Sequence, residues 1–197
     1  MAKVAVVYWS GSGNTEAMAN AVVEGAKEKG ADVSLFFCSD FNEGMVGDYD
    51  AIAFGCPAMG AEVLEEAEFE PMFTACGSKL GGKNIALFGS YGWGTGEWMH
   101  SWEDQCADFG AVLAADSVIC NEAPNDDGIA ACNDAIYELQ RVKEQTETVL
   151  KSAAEIKVLR AYYYLLAVDC WGNIPFSIDK AQTGYPEQKD RKFMWKP

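Results

Sequence analysis

Ser10-Gly11-Ser12-Gly13-Asn14-Thr15 sets three hydroxyls, a carboxamide and two glycines side by side. The stretch follows Val4–Val7, a β-branched run that reads as a buried strand. It precedes Met18, Ala21, Val22 and Ala26, spaced as one face of a helix. A strand that turns through such a loop into a helix leaves unpaired N–H groups at the positive end of the helix dipole. With the hydroxyls, those donors suit a phosphate. Gly11 and Gly13 permit close approach and positive φ. No Lys or Arg lies between Lys3 and Lys27, so the anion would be met by neutral hydrogen bonds, as suits a monoester. The Gly-Lys-Ser/Thr ending of a P-loop is absent. Taken alone, the loop also reads as an ordinary strand–helix connection.

Two further stretches repeat the arrangement. Cys56-Pro57-Ala58-Met59-Gly60-Ala61-Glu62 follows the apolar run Ala51–Phe54, and Gly89-Ser90-Tyr91-Gly92-Trp93-Gly94 follows Ile85–Phe88. Three glycine-bearing loops thus follow three apolar strands, at the carboxyl ends where open parallel sheets bind ligands. The blocks Trp9–Thr15, Gly55–Glu62 with Glu65-Glu66, Phe69-Glu70-Pro71, and Ala86–Gly94 with Trp98-Met99 resemble the short-chain flavodoxins of anaerobic bacteria, over residues 3 to about 124.

That resemblance implies a flavodoxin-like α/β fold, a doubly wound five-stranded parallel sheet of order 2-1-3-4-5. It implies a low-potential electron carrier, not an enzyme, with non-covalently bound FMN and redox partner proteins such as reductases and ferredoxin-linked oxidoreductases. Its site residues are Trp9–Thr15, Pro57–Glu62 and Ser90–Gly94. Ser10, Ser12, Asn14 and Thr15, with the backbone of Gly11 and Gly13, would hold the phosphate. Met59 and Trp93 would pack on opposite faces of the ring. Glu62 would accept from the ring N3–H, and the backbone of Ser90, Tyr91, Gly92 and Trp93 would meet the pyrimidine edge. Gly60 would let the Gly60–Ala61 peptide turn its carbonyl toward N5. Ala61 departs from the aspartate frequent after this glycine, removing one negative charge.

Length and charge bound these readings. The 197 residues suit one or two domains, and 49% apolar residues can fill a sizeable core. Seven cysteines lack any CxxC or His-bearing metal spacing and read as buried thiols of a reducing cytoplasm. No metal site is expected. The chain opens without a signal peptide, and its longest apolar run, Ala161–Val168, is too short to span a bilayer. Residues 1–140 hold 5 Lys and no Arg against 23 Asp or Glu, a charge of −18, whereas residues 141–197 carry +3. The acidic part argues against nucleic acid and for basic protein partners, or simply for solubility.

The elements follow in order. Strands are expected over 3–8, 33–37, 51–54, 83–89 and 111–119, with helices over 14–29, around Pro71, through Trp98–Phe109, and from Asp126 onward. Phe41–Gly47 reads as an irregular connection, and the five glutamates from Glu62 to Glu70 as a solvated face. Ile129, Cys132, Ile136 and Leu139 share one face of the last helix. His100 reads as a solvated helix position, and Cys56 as strand-end packing.

The remainder is different material. Ala154–Tyr164, with Trp171-Gly172-Asn173-Ile174-Pro175-Phe176, resembles a fragment of the SusD-like glycan-binding outer-membrane lipoproteins, over roughly 133–197. This gives two regions: 1–140, flavodoxin-like and FMN-binding, and 141–197, a SusD-like fragment, helical then irregular. A fusion with its junction within 124–141 accounts for both. The alternatives are a quinone or flavin reductase of the same fold, needing room on the flavin face, or a tail with a structural role only.

Overall fold

Along Lys3–Tyr8 (β1) the side chains alternate between two cores, as the two-residue period of a strand requires. Ala5 and Val7 join one apolar cluster, Val4 and Val6 the other. The alternation recurs in Ala51–Gly55 (β3), where Ile52 and Phe54 oppose Ala53, and in Asn84–Tyr91 (β4), where Ile85 and Leu87 oppose Ala86 and Phe88. Both faces of the sheet must therefore be covered, and helices cover them.

The first face packs against Phe69–Gly77 (α2) and Glu97–Asp108 (α3) through Phe69, Phe73, Trp98, Trp102 and Cys106. The apolar faces of both helices thus serve the core, with Met72 and Phe109 half-buried at its edge. Phe73 sits edge-on to both Phe54 and Trp102, with ring centroids 5.1 and 5.5 Å apart. Each such fully buried large side chain contributes about 1.5–3 kcal/mol. The second face packs against Met18, Val22 and Ala26 of Asn14–Glu28 (α1) and against Cys132 of the helix over 126–135 (α4). Gly25 marks where α4 crosses α1: a Cβ there would lie 2.5 Å from the Asn133 carbonyl oxygen.

This computed structural model describes residues 2–135, Lys151 and two short strands beyond. Two compact units, Met1–Lys143 and Glu144–Pro197, divide the chain. The first contains Asp32–Phe37 (β2) and the parallel order β2-β1-β3-β4-β5, where β5 is Val112–Leu113. The expected five-strand order stands. In the second unit Ile174–Pro175 (β7) pairs antiparallel with Gln188–Lys189 (β8). Ile136, Leu139, Tyr162–Leu166 and Trp171 lie outside the described residues.

Two expectations change. The strand over 111–119 is broken into β5 and Val118–Asn121 (β6), both parallel to β4. Val112 pairs with Asn84 but Val118 with Phe88, so residues 114–117 oppose only Ala86 and Leu87. Two extra residues bulge out of the edge strand. The connection near Phe41–Gly47 is not wholly irregular either, since Cys38–Asp40 and Glu43–Asp48 form 3-10 turns.

Candidate functional site

Trp9 continues β1 beyond Tyr8, its N–H donating to the Gly55 carbonyl at 2.9 Å. The chain then turns through Ser10–Gly13, closed by a bond from the Gly13 N–H to Ser10 Oγ at 3.0 Å. Gly13, at φ 89°, precedes α1 and offers no side chain to cap it. Among the described residues, no hydrogen-bond acceptor meets the N–H groups of Gly11, Ser12, Asn14 or Thr15. These are the free donors that a helix start leaves for an anion. Gly11 is required by packing: a Cβ there would lie 2.9 Å from the Trp9 ring. The indole thus lies against the loop, its Nε1–H donating to Glu68 Oε2 at 3.0 Å. Thr15 is buried, and its hydroxyl meets that of Ser90 at 3.1 Å, tying the loop to the end of β4.

The second loop is held against the third by the Ala58 N–H, which donates to the Ser90 carbonyl at 2.9 Å. Met59 and Val63 exchange N–H···O bonds of 2.8 and 3.0 Å, closing a turn over Gly60, Ala61 and Glu62. Gly60 has φ 50°, and Glu62, not a glycine, has φ 54°. Glu62 Oε1 accepts from the N–H groups of Thr95, Gly96 and Glu97 at 3.1, 2.9 and 3.0 Å.

The glutamate run is therefore no simple solvated face. Glu62 caps α3, and Glu68 holds Trp9. Glu65 is buried, with Oε1 accepting from Ala67 N–H at 3.0 Å and Oε2 from Glu68 and Phe69 N–H at 2.8 and 2.9 Å. Burial alone would raise the Glu65 pKa, but the three N–H donors outweigh it and hold the carboxyl below its usual range. Cys56 is packed at the end of β3, as expected. Burial holds its thiol far above the ordinary value, against a weak N–H bond from Glu65 at 3.4 Å. His100 is exposed beside Glu103, at 3.3 Å.

Between the three loops lies a cleft of about 340 Å³ at the carboxyl ends of β1, β3, β4 and β6. Of the expected site residues, Trp9, Gly11, Ser12, Asn14, Pro57, Ala58, Met59, Ser90, Tyr91 and Gly92 line it. Ser10, Gly13 and Thr15 support it from behind through the bonds above. Gly60, Ala61, Glu62, Trp93 and Gly94 are not among its lining residues. Met59, which lines the cleft, and Trp93 are large apolar side chains left 38% and 65% exposed.

Glu122 also lines the cleft and was not among the expected residues. It has φ 55°, and its N–H donates to the Tyr91 carbonyl at 2.7 Å. Asn121 Nδ2 donates to the same carbonyl at 3.2 Å. The available signal was position: Asn121-Glu122 closes β6, at the same end of the sheet as the three loops. Among the described residues no group of His, Cys, Asp and Glu could hold a metal ion, and no helix is long and apolar enough to cross a membrane.

Known proteins share this arrangement. The sequence model of the family described as Flavodoxin matches residues 6–135. The chain is 49% identical to the flavodoxin of Megasphaera elsdenii over 122 residues, covering 62% of this chain and 88% of that protein. It is 45% identical to the flavodoxin of Clostridium beijerinckii over 121 residues, covering 61% and 88%. The solution structure of two-electron reduced Megasphaera elsdenii flavodoxin superposes with a TM-score of 0.64 at 45% identity, covering 70% of this chain and 98% of that one. Fold, cleft and sequence agree, and the chain belongs to the flavodoxin family.

Proposed function

We propose that the protein carries electrons between redox partner proteins on FMN bound non-covalently in this cleft. The observation that carries the reading is the glycine loop at the start of α1. Its free N–H groups and exposed Ser12 belong to a cleft also lined by Pro57, Ala58, Met59 and Tyr91, with Glu122 as its one carboxylate. Those features fit a phosphate at one end and a flat heteroaromatic ring at the other.

When bound, FMN supplies a group that takes up and returns electrons one at a time. The chain's own residues would do the rest. Ser10, Ser12, Asn14 and Thr15, with the free N–H groups of Gly11, Ser12, Asn14 and Thr15, would hold the phosphate without a cation, in a turn that the Gly13 N–H closes on Ser10 Oγ. Met59 and Trp93 cover the two ring faces and keep water away. Glu62 Oε2, to which no described residue donates, is left to accept from the ring N3–H. The backbone around Ser90–Gly94 meets the pyrimidine edge, and Pro57, Ala58, Gly60 and Ala61 shape the N5 side. Electrons entering a region of charge −18 meet repulsion, which lowers the potential of the second one.

The acidic surface, with Met59, Val63 and Trp93 exposed at the opening, suits basic partner proteins. Residues 1–140 form the FMN-binding region of a cytoplasmic carrier, and 141–197 an appended SusD-like segment that the flavin site does not need.

Purified protein should be yellow, bind FMN in a one-to-one titration, and stay oxidised on mixing with NADH or NADPH until a separate reductase is added. Bleaching by NADH or NADPH alone would favour a reductase of the same fold.

A further inference from the structure

α3 begins without a cap of its own. The residue before it is Gly96, at φ 95°, with no side chain to accept from the first turn. Yet three N–H groups there are satisfied, all by one oxygen of Glu62, from another loop. Glu62 reaches them from a backbone at φ 54°, a region that costs a non-glycine residue free energy unless its surroundings impose it. Gly94 is part of the fit: a Cβ there would lie 2.3 Å from the Glu62 Cδ. Thus the turn at one wall of the cleft and the segment that leads from Trp93 into α3 are joined through one carboxylate.

We infer that Glu62 is a positioning residue that clamps the Met59–Val63 turn to the start of α3, setting the distance between Met59 and Trp93 before any ligand arrives. The clamp's purpose rests on the cleft being the FMN site, but its existence does not. A charged acceptor shared by three N–H groups at a helix start gains from both the hydrogen bonds and the dipole. It also offsets the strained Glu62 backbone, so turn and helix start hold each other. Without it, Trp93, which lies between Gly92 and Gly94 and is largely exposed, would lose its link to the Met59 side.

The test is amide hydrogen exchange by NMR on the full chain without FMN, so that its result is independent of whether FMN binds. Amides at a helix start and just before it ordinarily exchange freely, having no intrahelical partner. Here Thr95, Gly96 and Glu97 should be protected in the wild type. Glu62→Ala should raise their exchange about tenfold or more, whereas Glu62→Gln, which retains one acceptor oxygen, should stay within about threefold of wild type; tenfold corresponds to about 1.4 kcal/mol, the lower edge of the loss expected for a bond to a charged acceptor. Unprotected amides in the wild type, which needs no variant to fold, would overturn the clamp. So would protection that survives Glu62→Ala.

Discussion

Glu65→Ala removes a side chain that closes the turn before α2. Three N–H groups lose their acceptor, at 3.0, 2.8 and 2.9 Å. Ala67 and Glu68 are exposed, so water replaces the carboxylate for their N–H groups at little cost. Phe69 is 0% exposed, and its N–H is left without a partner. An orphaned buried donor costs about 1–3 kcal/mol, and losing a carboxylate near a helix start costs about 0.3–1 kcal/mol more. The expected loss is therefore about 1.3–4 kcal/mol, read as a lower urea midpoint with an unchanged slope. The pH dependence has a fixed sign. The Glu65 pKa is lower in the folded protein than in the unfolded chain, where it is about 4.3. The unfolded chain therefore binds protons first as pH falls, and the stabilisation is full above that value and lost as pH drops through the folded one. The difference between wild type and Glu65→Ala should be flat from neutrality to about pH 5 and shrink below about 4. A difference under about 0.5 kcal/mol, the usual size of a surface substitution, or one that persists undiminished into acid, would refute the reasoning.

Three other outcomes are expected. Trp93→Ala should weaken FMN binding by about 1–3 kcal/mol, the range for losing an aromatic stacking partner; intact affinity in calorimetric titration would return Trp93 to a surface role. Glu122→Gln removes a carboxylate from the cleft wall and should raise the second reduction potential by roughly 20–60 mV, taking on the order of 1 kcal/mol for one charge at that range. Potentiometry showing an unmoved second potential would place Glu122 too far from the ring to matter. A chain ending at Gln140 should bind FMN as the full chain does, and loss of FMN or of folding would make the segment beyond 140 integral to the domain.

The parts of the fold set by local rules were legible. Alternation in Val4–Val7, the glycine loop after it and Gly30 at the end of α1 fix a strand, a turn and a helix within a few residues. Phe69, Met72, Phe73 and Cys76, at helical spacing, likewise mark the inner side of α2, although Met72 is only half-buried, and Pro71 marks its first turn. What was hidden depends on long-range contacts. Nothing in the sequence from Ala111 to Ile119 distinguishes a straight strand from one with two residues pushed out, because the offset appears only against β4. The glutamates read as solvent-facing because charge predicts exposure on average. Yet Glu62, Glu65 and Glu68 turn toward the N–H groups of α3, α2 and Trp9. The three loops of the cleft could be ordered along the chain, but the joining of Thr15 to Ser90, across 75 residues, could not. Glu122 escaped because no glycine signalled its loop.

The broken edge strand has a consequence for life in a crowded solution. Val112, Leu113 and Ile119 are all more than a third exposed at the border of an open parallel sheet. A straight strand there would offer a second molecule a continuous template for pairing, flanked by greasy side chains. The offset between β5 and β6 interrupts that template after only two residues on one side and four on the other. An incoming strand cannot keep register across the step, so the outermost border of the sheet discourages fibre-like growth without any charged guard residue within β5 or β6.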